Sequence, residues 1–248
     1  MRAPSRPLAQ VNLQIGDAMR PFFYRPDSTG DRGVIEQIFR EGDYRLTKFA
    51  LGEPLLRLYR YTIAAGRTPL IVDAGANIGA SVVYFAGNFP KCRIVAIEPE
   101  RNNCDVLRAN CGGLNFELLE GGIGAAAGES FLNDPGRGDW SFRLDAQGEY
   151  PVPVFAASAI VADATARGDV PFIFKIDIEG GEADLFREDT AWVQAFPLLI
   201  IELHDWRYPG TANSRNFLRV IATFNFDVVL RGENVFCFNN DLLAAAEA

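Results

Sequence analysis

The chain of 248 residues carries 24 basic and 32 acidic side chains, for a formal charge of -8, and is 48% apolar. That balance suits an ordinary globule of one large domain or two small ones, and it excludes a nucleic-acid glove, which needs a basic face. No run approaches the roughly 18–20 apolar residues of a membrane span, and residues 1–10 lack the apolar core of a secretory signal. A cytoplasmic protein is therefore expected. Cys92, Cys104, Cys111 and Cys237 show no C-x-x-C spacing and read as reduced thiols. His204 is the only histidine, so a His-rich metal site is excluded.

Residues 1–32 read as irregular, with Pro4, Pro7, Pro21 and Pro26 around the aromatic run Phe22-Phe23-Tyr24. That run is expected to pack on the main body or to begin a short strand. Helical spacing of Val34, Ile35, Ile38 and Phe39 predicts a helix over 33–40. Leu51, Leu55, Leu58, Tyr59 and Thr62 predict a second over 49–64. The segment 1–69 is expected to be a cap that covers a sheet face or closes a ligand cleft.

From Leu70 the chain alternates strand and helix. Strands are predicted over 70–74, 93–98, 116–119, 172–177, 198–203, 226–230 and 235–238. Helices are predicted over 77–89, after Pro99-Glu100, and over 214–223. Arg231-Gly232-Glu233-Asn234 has hairpin-turn composition. The pattern predicts an α/β fold over 70–248: a seven-stranded, mostly parallel, doubly wound Rossmann-like sheet with an antiparallel last strand. Residues 125–167 read as an insert after the third strand. Trp140, Phe142, Tyr150, Val152, Val154 and Phe155 suggest a small hairpin there, serving as a mobile flap or a substrate lid.

The stretch Leu70-Ile71-Val72-Asp73-Ala74-Gly75-Ala76-Asn77-Ile78-Gly79 is a buried strand, a Gly-rich turn and a helix start. Gly75 would let the backbone approach a ligand, and the helix start offers free N–H groups to its acidic end. Asn77 is expected to cap the helix, and Gly79 to let it pack on the sheet. The pattern D-x-G-x-N-x-G is not the dinucleotide G-x-G-x-x-G. The next strand ends in Glu98, an acid placed to take both ribose hydroxyls of an adenosine. An adenosyl ligand without a pyrophosphate is implied, and S-adenosylmethionine fits best.

Two further clusters carry chemistry. Phe174-Lys175-Ile176-Asp177-Ile178-Glu179-Gly180-Gly181-Glu182 brings three carboxylates together, with Lys175 on the same strand face as Asp177. Glu202-Leu203-His204-Asp205-Trp206 ends the fifth strand beside them. His204, titrating ordinarily near pH ~6.5, is the first candidate base, with Asp177, Glu179 and Glu182 as alternatives. No metal ligand is assigned. A divalent ion between Asp177 and Asp205 is the alternative mechanism.

These motifs together resemble the FkbM family of S-adenosylmethionine-dependent methyltransferases. Val72 to Gly79, Ile97-Glu98-Pro99, Lys175 to Glu182 and Ile201-Glu202-Leu203-His204 carry the resemblance. It implies a methyltransferase sheet, S-adenosylmethionine as cofactor and O-methylation of a hydroxyl on a sugar, a polyketide or another small-molecule or glycan acceptor. The expected cofactor contacts are Asp73, Gly75, Ala76, Asn77, Ile78, Gly79, Glu98, Pro99, Gly122, Ile123 and Asp177. The rivals are a nicotinamide-dependent oxidoreductase and a non-catalytic nucleoside-binding module of the same fold.

Overall fold

The structure, a computed structural model, describes residues 7–16, 18–133, 143–145, 148 and 150–245. From Ala9 the described N-terminal residues are not irregular. Strands β1 (Ala9–Ile15) and β2 (Ala18–Tyr24) pair as an antiparallel hairpin. Phe22 of β2 is fully buried, so the aromatic run both forms a strand and packs on the body. The first predicted helix starts earlier than its apolar spacing suggested. Helix α1 (Thr29–Ile35) is capped by Ser28, whose hydroxyl accepts from the Asp31 N–H, and it continues into a π-helical turn, Glu36–Glu41. Helix α2 (Gly52–Ala64) follows, close to its predicted span.

The central unit then runs in order: β3 (Thr68–Ala74), α3 (Ala80–Asn88), β4 (Arg93–Glu98), α4 (Arg101–Cys111) and β5 (Phe116–Glu120). Next come β6 (Gly122–Gly124), β7 (Gly128–Asn133), β8 (Arg143–Asp145), β9 (Tyr150–Ala156) and α5 (Ala157–Ala166). The chain ends with β10 (Asp169–Ile176), α6 (Glu182–Leu185), β11 (Leu198–Glu202), α7 (Arg215–Ile221), β12 (Phe226–Arg231), β13 (Asn234–Asn239) and α8 (Asn240–Ala245).

Among the described residues, seven strands form the main sheet in the order β5-β4-β3-β10-β11-β13-β12, with β13 antiparallel to both its neighbours. Alternation along each strand feeds two separate cores. Ile71, Ile94, Ile173 and Ile200 face one layer, with α2, α3, α4 and the N-terminal hairpin. Leu70, Val72, Phe174 and Leu199 face the other, with α5 and α7. Strands buried on both faces carry near-continuous apolar runs, as these do. The sheet order reverses between β3 and β10, and ligands of open α/β sheets bind beyond the strand ends at such a point.

The stretch 125–167 is two things rather than one insert. β6, β9, β7 and β8 form a second, four-stranded sheet, while α5 is the ordinary crossover helix leading to β10. Ala157, Ile160, Val161 and Ala164 are its buried stripe, at helical spacing that was legible in the sequence. Tyr150, Val152, Val154 and Phe155 lie on β9, which pairs antiparallel with β7. Trp140 and Phe142 lie outside the described residues.

Candidate active site

The floor of the site is a buried ion pair. Strand register sets Lys175 directly beside Asp73, where Lys175 Nζ stands 3.2 Å from Asp73 Oδ1 and 3.6 Å from Asp177 Oδ2. The same ammonium donates to the Gly75 carbonyl at 2.7 Å, and Ser81 Oγ donates to Asp73 Oδ2 at 2.5 Å. Burial works against the lysine's charge, but Asp73 and then Asp177 push its pKa up. Asp73 is fully buried and behind the cavity wall. It holds the turn from beneath.

Above it the chain turns sharply. Gly75 has φ +78°, and a Cβ there would lie 1.7 Å from the Asp177 carbonyl oxygen. The glycine is thus required by the close approach of the β3 and β10 loops, not by ligand volume. Asn77 is not the helix cap. It sits in the left-handed region at φ 48°, and Gly79 occupies the cap position before α3 begins at Ala80. Gly79 faces α4 rather than the sheet, since its Cβ would meet Cys111 Sγ and Leu107 Cγ.

Glu98 reaches under this turn. Its Oε2 accepts from the Asn77 N–H at 2.8 Å, and its Oε1 accepts from the Glu100 N–H at 3.0 Å and from Asn103 Nδ2 at 3.2 Å. A carboxylate offers about four acceptor sites, so one remains, on Oε2. The two contacts expected of Glu98 from the sequence would need more free acceptor sites than the one left here. Burial pushes the Glu98 carboxyl up to about 7, against the hydrogen bonds that favour its charge. Asn103 also accepts from Arg25 Nη2 at 2.8 Å, and Arg25 pairs with buried Asp31 at 2.6 Å. The N-terminal segment is wired to Glu98 through this chain.

The remaining wall is a ring of acids around one imidazole. His204 Nδ1 bonds to Glu182 Oε1 at 2.7 Å, and the other oxygen of that fully buried carboxylate accepts from Asn213 Nδ2. On the cavity side, His204 Nε2 lies 3.5 Å from Glu179 Oε2, 3.5 Å from Glu202 Oε1 and 3.8 Å from Asp177 Oδ1. Arg207 Nη1 and Tyr208 Oη donate to the side chain and carbonyl of Glu179. They hold it in a left-handed conformation, φ 56°, that non-glycine residues seldom adopt.

Electrostatics bears on the choice of base. Burial opposes the charge on His204, but the Glu182 hydrogen bond and the surrounding carboxylates raise it to about 9. That surrounding favours the protonated imidazole. Burial first, and the charge of Asp177 next, push Glu179 up to about 7 and Glu202 up to about 8. The cluster shares its protons, and it is the carboxylates that titrate near neutrality.

A cavity of about 440 Å³ joins these parts. Of the sequence-assigned residues, Gly75, Asn77, Glu98, Pro99, Gly122, Ile123, Asp177, Glu179 and His204 line it. Asp73, Ala76, Ile78, Gly79 and Glu182 do not. Asp205 turns away to accept from the Ser214 N–H at 3.2 Å, so it forms no ion site with Asp177. No described residue of 125–167 lines the cavity. Thr29, Gly33, Val34 and Gln37 of the N-terminal segment, whose place sequence reasoning left undecided, also line it. Glu202 and Trp206, quoted in a motif but given no role, belong to the wall, and Trp206 is 64% exposed there.

The profile of the Methyltransferase FkbM domain matches residues 73–228, from the floor aspartate through the histidine cluster to β12. The chain belongs to the FkbM methyltransferase family. S-adenosylmethionine is its cofactor, and the nicotinamide alternative falls. No curated protein sequence matches the methyltransferase. Among solved structures it is similar to a methyltransferase from Geobacter sulfurreducens, at 18% identity and TM-score 0.39 over 86% of this chain and 90% of that one. It is also similar to human methyltransferase-like protein 13 in complex with SAH, at 14% identity and TM-score 0.42 over 81% and 87%. A third is the Methanococcus jannaschii fibrillarin pre-rRNA processing protein, at 12% identity and TM-score 0.40, where the matched part covers 69% of this chain and 65% of that one. The family assignment rests on the profile match.

The residues present fit the cofactor. The cavity is of ligand size and lies at the switch point. Asn77 Oδ1 in its wall is buried with no hydrogen-bond partner among the described residues, an acceptor left for a ligand's donor. The acidic ring suits a cationic ligand. No helix among the described residues is long and apolar enough to cross a membrane.

Proposed function

We propose that this methyltransferase places a methyl group on a hydroxyl oxygen of a small-molecule or glycan acceptor. The observation that carries the reading is the set of carboxylates poised near neutrality around His204 on the cavity wall. An alcohol needs a base at hydrogen-bond distance, and a base works best with its pKa near the working pH. S-adenosylmethionine supplies the methyl group on a sulfonium and leaves as a neutral thioether. The acceptor's O–H bond breaks as its oxygen forms the new bond to carbon, and an ionised member of Asp177, Glu179 and Glu202 takes the proton. Glu182 and Asn213 hold the ring of His204, and its charge stabilises the ionised carboxylates.

In this reading Gly75 and Asn77 meet the amino-acid end of the cofactor, Glu98 and Pro99 its ribose, and Gly122 and Ile123 the far wall. Trp206, exposed at the cavity and 6.4 Å from the His204 ring, offers a flat apolar face for a ring-shaped acceptor. A cytoplasmic location belongs to the same reading and is supported by four cysteines that are all unpaired. The test is transfer of labelled methyl from S-adenosylmethionine to a panel of sugars, polyketides, phenols and amines. Ether products on hydroxyl acceptors are expected. Label found only on nitrogen or carbon would overturn the hydroxyl assignment.

A further inference from the structure

The cluster on β10 and β11 has one feature that proton transfer does not explain. His204 is 1% exposed, and its Nε2 points into a space bounded by carboxylate oxygens at 3.5–3.8 Å, where a cation would take the place of the Nε2 proton and release it to solvent. One ligand atom each from Asp177, Glu179 and His204 lies within 4.8 Å of the others. Around a first-row divalent ion with bonds of ~2.0–2.2 Å, neighbouring ligand atoms stand roughly 3.0–3.5 Å apart. The separations of 3.5 and 3.8 Å from Nε2 are within a few tenths of an ångström of that spacing, and the two carboxylates lie within 4.8 Å of each other.

The support behind the ligands is also that of a metal site. A ligating histidine typically donates its other ring N–H to a carboxylate, which fixes the tautomer and aims the free nitrogen. Glu182 does this from a position of zero exposure, itself held by Asn213 and by the Gly180 N–H at 3.2 Å. Glu179 is held by Arg207 and Tyr208 in a backbone conformation that carries strain. Glu202 Oε1 faces Nε2 and can receive a hydrogen bond from water on an ion.

We propose that Asp177, Glu179 and His204 Nε2 form a binding site for one divalent cation, oriented by Glu182 and opening on the acceptor side of the cavity. Two carboxylates and an imidazole suit Mn²⁺ or Zn²⁺ better than Mg²⁺, which prefers oxygen and keeps its waters. Any role of the ion in catalysis rests on the hydroxyl-transfer reading. Its binding does not, and the experiment reads binding.

The full chain, stripped with EDTA and dialysed, is titrated with Mn²⁺, and free Mn²⁺ is followed by electron paramagnetic resonance. One ion per chain is expected. Asp177→Asn and Glu179→Gln should each weaken binding at least tenfold, whereas Glu188→Gln, on the exposed surface, should not. A readout without mutation uses the single histidine: in protein labelled with ¹⁵N-histidine, Zn²⁺ should shift Nε2 and leave Nδ1 protonated. Calorimetry with S-adenosylhomocysteine on the same samples reports the cofactor site separately. The proposal is overturned by no Mn²⁺ binding up to millimolar concentration, by affinity unchanged in both acid variants, by an Nε2 signal that ignores Zn²⁺, or by loss of Mn²⁺ binding when S-adenosylmethionine saturates the protein.

Discussion

Lys175→Met isolates the ion pair beneath the ligand turn. The substitution keeps the length and apolar stem of the side chain and removes only the ammonium. Asp73 Oδ1 then has no partner, since its one close cation is Lys175 at 3.2 Å, and the Gly75 carbonyl loses its 2.7 Å donor. Breaking a buried pair by removing one member typically costs ~3–5 kcal/mol. Proton uptake caps that cost, because neutralising an ordinary aspartate takes ~4 kcal/mol at pH 7 and only ~1.5 kcal/mol at pH 5. The variant should therefore lose ~3–4 kcal/mol at pH 7 and about half of that or less at pH 5. For a chain of this size the melting temperature at pH 7 should fall by roughly 6–16 °C. Asp73→Asn combined with Lys175→Met should recover much of the loss, because no unpaired charge remains. Urea unfolding at the two pH values, with calorimetric melts, gives each quantity. A loss under ~1 kcal/mol at pH 7, or the same loss at pH 5 and 7, would refute the account of Asp73 as a buried charge held by Lys175.

Three further outcomes are expected. Glu98 is raised to about 7, and a ribose hydroxyl favours its ionised form, so affinity for S-adenosylhomocysteine should rise between pH 6 and 8. Glu98→Gln should flatten that rise and weaken binding ~10- to 100-fold above pH 7, and calorimetry at three pH values with equal slopes in both proteins would remove Glu98 from the site. Gly75→Ala should lower the melting temperature and cofactor affinity together, because its Cβ meets the Asp177 backbone rather than the ligand; a stable variant that merely fails to bind would restore the ligand-volume explanation. In EDTA-treated protein, Glu182→Gln should move the imidazole titration down from about 9, since that carboxylate contributes most to raising it. Stability from the raised histidine is complete below pH ~6.5 and lost as pH passes 9, so the same variant should show a flatter stability curve between those values. NMR of the lone imidazole, titrating unchanged, would contradict the role given to Glu182.

The sequence by itself determined the α/β sheet, its strand spans and the family, because strands buried on both faces announce themselves as apolar runs and the D-x-G-x-N-x-G turn has few other uses. It also put Asp177, Glu179 and His204 on the two strand ends that the topology sets side by side. What it could not determine was which atoms of those residues are already engaged. Asp73, Gly75 and Glu98 all read as ligand contacts, yet Asp73 is matched by Lys175, Gly75 by the Asp177 carbonyl, and three of the four acceptor sites on Glu98 by the turn and α4. These are contacts between segments distant in the chain, and no local pattern encodes them. The same holds for the cavity's lining. Thr29, Gly33, Val34 and Gln37 contribute to it from the N-terminal segment, which is tied to α4 through Arg25 and Asn103, and no local pattern in that segment announces it. The protonated state of His204 is the sharpest case. An isolated imidazole titrates near ~6.5, and only the placement of Glu182, Asp177 and Glu179, from the end of β10 and the start of α6, around a ring carried past the end of β11 raises it to about 9.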